Sequence, residues 1–282
     1  MTNVAIILLL VGASLSAQTT GPEKGTLVIV GGNLQDPAIV KRFIDLAGGP
    51  GAPIVIIPTA GDADEYDQYY SGLQAWRENG ATNLTVMHTR DRKVADTEAF
   101  VKPIRAARGV FFAGGRQWRL ADSYLNTLTH KALNDVLARG GVIGGSSAGA
   151  SILTSFMVRG DTKNNEKMIG DHTVGLGFLK NAAVDQHLLR RNRQFDMLEV
   201  IDKHPELLGI GLDENTAIVV DGDQFDVIGQ SYAVVYSNQP VAGASGRFYF
   251  MAAGDRFDMK TRKATRQGNE WRPLMGVRPP QN

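Results

Sequence analysis

The chain has 282 residues, 43% of them hydrophobic and 21% charged, a balance that builds one sizeable core and excludes a disordered chain or a fibre. Lys plus Arg number 30 against 29 for Asp plus Glu, so no overall basic field gathers nucleic acid or holds a membrane surface, and ligands are recognised locally. There is no cysteine, which excludes disulfides, thiolate zinc sites, iron–sulfur ligation and a cysteine nucleophile. Acyl transfer on this chain falls to Ser, Thr or Lys.

Val4 to Val11 (VAIILLLV) is too short to span a bilayer as a helix and is followed by Gly12, Ala13, Ser14, Ser16 and Ala17, the shape of a secretory signal. Residues 1–17 are expected to be removed, after Ala17 or alternatively after Ser16, leaving a periplasmic or secreted protein with no membrane attachment. No Lys or Arg precedes the apolar run, so a buried first strand is the competing reading.

Short apolar runs then alternate with longer amphipathic ones, the rhythm of βα units around a parallel sheet. Thr26 to Val30 is a strand ending at Gly31-Gly32, and Pro37 to Leu46 a helix with Asp36 as N-cap. Strands follow at Ile54 to Ile57 and Leu84 to Met87, with a helix within residues 66–79 between them and another opened by Asp96-Thr97. Val110 to Ala113 ends in Gly114-Gly115, and Val142-Ile143 ends in Gly144-Gly145 before a helix-like run from Ala148 to Phe156. Strands rich in Val and Ile with little alternation suit a sheet covered on both faces. Beyond about residue 205 the runs Leu208 to Leu212, Thr216 to Val220, Phe225 to Gly229, Ala233 to Tyr236 and Phe248 to Met251 are expected to extend that sheet antiparallel. No linker divides the chain. Residues 25–265 are expected to form one α/β domain and 266–282 an irregular tail.

Gly145-Ser146-Ser147-Ala148-Gly149 fits the G-x-S-x-G nucleophile elbow with Ser147 at its centre. It follows a strand and precedes a helix-like run, the setting in which small neighbours let the chain bend sharply and lift the hydroxyl above the sheet edge. Ser146 is the competing hydroxyl, and a Gly/Ser turn that only packs is the bland alternative. A serine needs a base and an oriented acid. Of five histidines, His187 directly follows an apolar segment and so emerges where the βα loops gather; His88 also follows a strand, while His130, His172 and His204 sit in polar contexts. Glu214, at the end of Leu208 to Leu212, can orient the imidazole, with Asp213 as substitute. An oxyanion hole needs two amides; that of Ala148 is one, and Gly114-Gly115 supplies the other, Gly115 being favoured. Gln117 reaches the same cleft, although plain tight turns at Gly114-Gly115 and Gly31-Gly32 are the ordinary alternative. Around His187 stand Asp185, Arg190, Arg191 and Arg193. Arg191 shares a helical face with His187 at i,i+4, so Arg193 joins it only if part of the stretch is loop. Arg reads carboxylates through a bidentate fork, against the alternative of a solvated basic face paired with Asp196 and Glu199.

Ser146 to Ala150, Gly114-Gly115 with Gln117, Asp185-Gln186-His187, and Gly209 to Glu214 with Thr216-Ala217 together resemble the peptidase S51 family, and within it the cyanophycinase branch most closely, in the same order from about Thr26 to Tyr236. The resemblance implies a flavodoxin-like fold akin to class I glutamine amidotransferases, with a serine in the role of their cysteine. It implies Ser147 as nucleophile, His187 as base and Glu214 as its partner, with Gln117, Asp185, Gln186, Arg191 and Arg193 lining the substrate pocket. The implied substrates are aspartyl-linked peptides: cyanophycin, cut to β-Asp-Arg dipeptides, or alternatively aspartyl and isoaspartyl dipeptides. In that setting Asp185 would meet a guanidinium and the arginines carboxylates. Leu188 and Asp196 stand where the branch has Phe and Arg, and Arg116 where it has an acid, which leaves the exact substrate open. A non-catalytic binding protein on the same scaffold is the reading from another class, and a glutamine amidotransferase is disfavoured by the missing Cys. No H-E-x-x-H run or other metal constellation occurs, and no cofactor is expected. Partners are expected to be peptide substrate and no nucleic acid, with a homodimer compatible with the sequence.

Overall fold

A computed structural model of the chain describes residues 20–241 and 246–266. The expected leader and, from residue 267, the expected tail lie outside the described residues. In chain order the strands are β1 (Thr26–Val30), β2 (Ile54–Ile57), β3 (Leu84–Val86), β4 (Gly109–Phe112), β5 (Val142–Ser146), β6 (Phe156–Gly160), β7 (His172–Val174), β8 (Ala182–Gln186), β9 (Leu208–Leu212), β10 (Thr216–Asp221), β11 (Gln224–Gly229), β12 (Tyr232–Tyr236), β13 (Phe248–Ala252), β14 (Arg256–Asp258) and β15 (Lys263–Thr265). The helices are α1 (Pro37–Ala47), α2 (Gln74–Glu78), α3 (Arg92–Ala95), α4 (Glu98–Ala106), α5 (Gln117–Tyr124), α6 (Leu128–Ala138), α7 (Ala148–Ser151) and α8 (Met197–Lys203).

The main sheet runs β15-β14-β11-β10-β1-β5-β4-β2-β3. From β1 to β3 its five strands are parallel, and from β10 outward each pairing is antiparallel. Both faces of the parallel part are covered, as its Val/Ile content requires. Val28 and Val30 pack with Phe43 and Ile44 of α1 and Trp76 of α2, whereas Leu27 and Ile29 share a core with α4, α5 and α6. Asp36 caps α1, its carboxylate accepting from the Ala38 amide at 2.9 Å, and Pro37 stands at the first helical position.

The expected antiparallel extension divides between two sheets. β10 and β11 continue the main sheet, whereas β9, β12 and β13 join β8 in a second, ordered β13-β12-β9-β8. β9 is buried along its whole length and pairs in parallel with β8, so it lies inside the molecule, and the chain crosses through Asp213–Asn215 to β10, which pairs with β1. One face of the second sheet, with Val184, Ile210 and Val235, completes the core under the main sheet; the other, with Ala183, Val234 and Tyr236, carries α8.

The helix-like run after Ser147 is also shorter than its sequence suggests. α7 has four residues, because the Thr154 hydroxyl bonds to the carbonyls of Ser151 (2.8 Å) and Phe156 (2.7 Å) and turns the chain into β6. β6 and β7 then form a two-stranded sheet with a register shift between Phe156 and Gly160. No helix among the described residues is long and apolar enough to cross a membrane.

Phe43 joins α1 to the sheet. It is 1% exposed, with Trp76 and Phe111 edge-on at 5.1 and 5.4 Å between ring centres. Phe43→Ala is expected to lower unfolding stability by about 3–5 kcal/mol, measured as a fall in the urea midpoint at unchanged m-value.

Candidate active site

The parallel strands end level with one another: Val30 of β1 pairs with Ser146 of β5, and Phe112 of β4 with Gly145. The loops leaving these carboxyl ends gather in one crevice, the usual ligand edge of such sheets. Ser147 follows β5 with φ 56° and ψ −116°, a strained conformation for a side chain with a Cβ. The glycines of the motif make the turn feasible. A Cβ on Gly145 would stand 2.1 Å from the Gly149 carbonyl oxygen, and one on Gly149 would stand 2.2 Å from that of Phe112. The Ser147 amide donates to the Val30 carbonyl at 3.1 Å, fixing the turn to β1.

The imidazole arrives from the second sheet. His187 follows β8, also at positive φ (55°), and its Nε2 lies 2.9 Å from Ser147 Oγ while Nδ1 lies 2.8 Å from Glu214 Oε1. Gly32 makes the room: a Cβ there would lie 2.3 Å from His187 Cε1. Asp213, the substitute acid, does not touch the ring. Its Oδ1 accepts from the amides of Leu189 (3.0 Å) and Arg190 (2.9 Å) and its Oδ2 from the Ser231 hydroxyl (2.7 Å), holding the loop that follows the histidine. Burial is the largest influence on the imidazole and pushes its pKa below the ordinary value; the Glu214 bond opposes this, and the charges of Arg191 and Arg193 reinforce it.

Ala148 opens α7, so its amide has no partner within that helix. Gly114 lies against the serine, its added Cβ falling 3.3 Å from Ser147 Cβ, and the exposed Gly115 takes φ 141°, where a Cβ would meet the Ala60 carbonyl oxygen at 2.1 Å. The glycine pairs after β1 and β4 are thus more than tight turns: one admits the imidazole and the other lets backbone approach the hydroxyl.

Residues 27–228 match the model of peptidase family S51. The chain belongs to peptidase family S51. It is 31% identical over 261 residues to a cyanophycinase of Geminocystis herdmanii, covering 84% of this chain and 95% of that one, and 28% identical over 275 residues to a cyanophycinase of Nostoc sp., covering 88% and 90%. Among solved structures it resembles a peptidase from an acI-B1 Actinobacterium, with a TM-score of 0.64 at 23% identity over 84% of this chain and 98% of that one. A putative peptidase E from Listeria monocytogenes gives a TM-score of 0.52 at 20% identity over 73% and 99%. These two likenesses concern the fold. The chain is a serine-type peptidase, cyanophycinase-like.

The expected substrate residues of this S51 peptidase fall into different environments. Gln117 begins α5 with its side chain buried and its Nε2 donating to the Val158 carbonyl at 2.8 Å. Gln186 is buried beside His187 with Oε1 unpartnered among the described residues. Leu188 to Asn192 is turn and no named helix: Arg191 points outward and is exposed, whereas Arg193 is buried and donates to the Gln186 carbonyl at 3.1 Å. Asp185 corrects the expectation of a carboxylate open to substrate. It is 0% exposed and forked by Arg159, Nε to Oδ1 at 2.7 Å and Nη2 to Oδ2 at 2.8 Å. Sequence reasoning passed over Arg159; its signal was a lone cation in the apolar run Phe156–Gly160. A cavity of about 590 Å³ adjoins Glu214, lined by Leu189, Arg190, Tyr232 and Phe250 among others, and none of the five expected substrate residues borders it. Among the described residues no cluster of His, Cys, Asp and Glu is arranged to hold a metal ion.

Histidine titration by NMR checks the electrostatics. The His187 midpoint is expected below the ordinary value of about 6.5. Glu214→Gln removes a raising influence and lowers it further, while Arg191→Gln removes a lowering one and moves it up; a wild-type midpoint above that of an ordinary histidine contradicts the account.

Proposed function

We propose that this peptidase hydrolyses aspartyl-linked peptide bonds through Ser147, His187 and Glu214, with cyanophycin, cut to β-Asp-Arg dipeptides, as the first substrate to test. The observation that carries the reading is the continuous hydrogen-bonded series from Ser147 Oγ through both ring nitrogens of His187 to Glu214 Oε1, at 2.9 and 2.8 Å. Ser147 Oγ bonds to the carbonyl carbon as its proton passes to His187 Nε2. The resulting oxyanion faces the amides of Ala148 and Gly115, each such donor typically contributing on the order of 10² to 10³ in rate. Cleavage of the C–N bond sends the proton from Nε2 to the leaving nitrogen. Water then adds to the acyl carbon as His187 takes its proton, and Ser147 leaves with that proton restored.

The lowered imidazole pKa supports this role, because the ring stays neutral and able to accept a proton below the pH at which an ordinary histidine charges. Gln186, Arg191 and Arg193 are assigned to the substrate cleft by their place in the chain around His187, with Arg191 the exposed reader of a carboxylate, and Gln117 by the family resemblance. We also propose export, which the composition of residues 4–17 supports.

Purified wild type and Ser147→Ala, assayed for β-Asp-Arg release from cyanophycin and on isoaspartyl dipeptides, are expected to differ by at least about 10³-fold in kcat with the fold unchanged; equal turnover would sink the assignment of Ser147. The acid limb of wild-type kcat/KM is expected below that of an ordinary histidine and should follow the His187 titration in Arg191→Gln. An independent upward shift of the limb argues for a different base.

A further inference from the structure

Arg159 enters the interior from β6 at φ 56°, at the register shift of the β6–β7 pair, and is 1% exposed. Its five N–H donors are matched by five hydrogen bonds. Nε meets Asp185 Oδ1 at 2.7 Å; Nη2 meets Asp185 Oδ2 at 2.8 Å and Asp196 Oδ2 at 2.6 Å; Nη1 meets the carbonyls of Glu166 at 2.8 Å and Asn165 at 3.3 Å. Asp185 is equally committed. Its Oδ1 also accepts the Gln186 amide at 2.9 Å, and Arg193 Nη1 stands 4.0 Å away. The other carboxylates flanking His187 are paired too, Asp196 with Arg159 and Glu214 with the imidazole, while the exposed charges on the loop after His187 are Arg190 and Arg191.

We infer that Arg159 is a specificity-determining residue: by filling Asp185 from within the chain it removes the carboxylate that would read a cationic side chain, so the site accepts aspartyl-linked peptides without requiring a guanidinium. The inference rests on the aspartyl-peptidase reading above and narrows its substrate class. Discrimination against an uncharged isostere arises when a buried partner is left unpaired. Here no partner is left, because Arg159 satisfies Asp185 whatever the substrate carries. The cationic rim selects instead for peptides with free carboxylates.

The test compares a short oligomer of β-Asp-Arg units, which contains the aspartyl bonds cut on that reading, with the same oligomer carrying citrulline for arginine, which keeps the shape of the side chain and removes its charge. Wild-type kcat/KM values within about threefold of one another are expected, whereas reading by a buried carboxylate would give on the order of 10²-fold or more in favour of arginine. A preference of that size overturns the inference. If neither oligomer nor an isoaspartyl dipeptide is cleaved, the aspartyl-peptidase reading fails and Arg159 is judged by a second measurement. Arg159→Ala should melt below wild type and regain its Tm in millimolar methylguanidinium, which leaves wild type unmoved. If Arg159→Ala gives no soluble protein, it is refolded from urea with and without millimolar methylguanidinium, and the yield of folded protein is read in place of Tm. Absence of recovery shows that Arg159 does not fill a guanidinium slot and overturns the inference.

Discussion

The site depends on a volume that one residue leaves empty. Gly32 has no side chain, and the His187 ring occupies the place a Cβ would need, with Cε1, Nδ1 and Nε2 at 2.3, 2.6 and 2.8 Å from it. Gly31 admits the neighbouring corner in the same way, since a Cβ there would lie 2.2 Å from the Asp213 carbonyl oxygen. Backbone bonds then lock the meeting: His187 N to Gly31 O at 2.8 Å, Gly31 N to Thr216 O at 2.9 Å and Asn215 N to Gly32 O at 3.0 Å. The end of β1, the end of β8 and the β9–β10 corner converge on two glycines, and β5 delivers Ser147 from beside β1. Because that corner is where the chain passes from the second sheet to the main one, Glu214 reaches the imidazole as a direct result of how the two sheets are joined.

Two non-glycine residues at the centre, Ser147 and His187, both take positive φ. Each such conformation costs on the order of 1–3 kcal/mol and persists only where the surroundings over-determine it. Here they do so with backbone bonds that flank each residue, from the Ser147 amide to Val30 and from the His187 amide to Gly31, and with a core on both faces of the sheet. On the proposed reading the strain serves as pre-organisation, since Oγ and Nε2 already lie at hydrogen-bonding distance.

The parallel half of the sheet was legible in the sequence because its strands are short apolar runs closed by glycine pairs, as at Val30 before Gly31-Gly32 and Phe112 before Gly114-Gly115. Ser147, His187 and Glu214 could be singled out because each lies at or just beyond the end of a strand, where the βα loops gather. What stayed hidden depends on contacts between distant segments. β9 and β10 carry the same kind of residue and differ only in which strand lies beside them, so local pattern assigned them to one sheet. Asp185 and Asp213 read as carboxylates free for chemistry because nothing local reveals that Arg159, 26 residues earlier, or the amides of Leu189 and Arg190 will take them. The brevity of α7 likewise followed from one hydroxyl, that of Thr154, which sequence periodicity does not weigh.

A near-zero net charge hides a strongly organised interior. Arg159 and Asp185 are both buried, and a fully buried carboxylate deprived of its partner would cost roughly 3–5 kcal/mol. Such a pair is weak evidence for stability in itself, since packed apolar residues often do as well. Its value here is positional: Asp185 also accepts the Gln186 amide, and Arg193 donates to the Gln186 carbonyl, so both ends of the residue before His187 are fixed by charged groups. With that peptide held, the imidazole feels burial and the two arginine charges lowering its pKa against Glu214 raising it. On the proposed reading the lowering favours a neutral ring able to accept a proton, and Glu214 would stabilise the positive charge that then appears. A stronger acid contact alone would charge the ring early; burial alone would leave the imidazolium unsupported. The chain combines both influences, burial and the charges of Arg191 and Arg193 on one side and the Glu214 carboxylate on Nδ1 on the other.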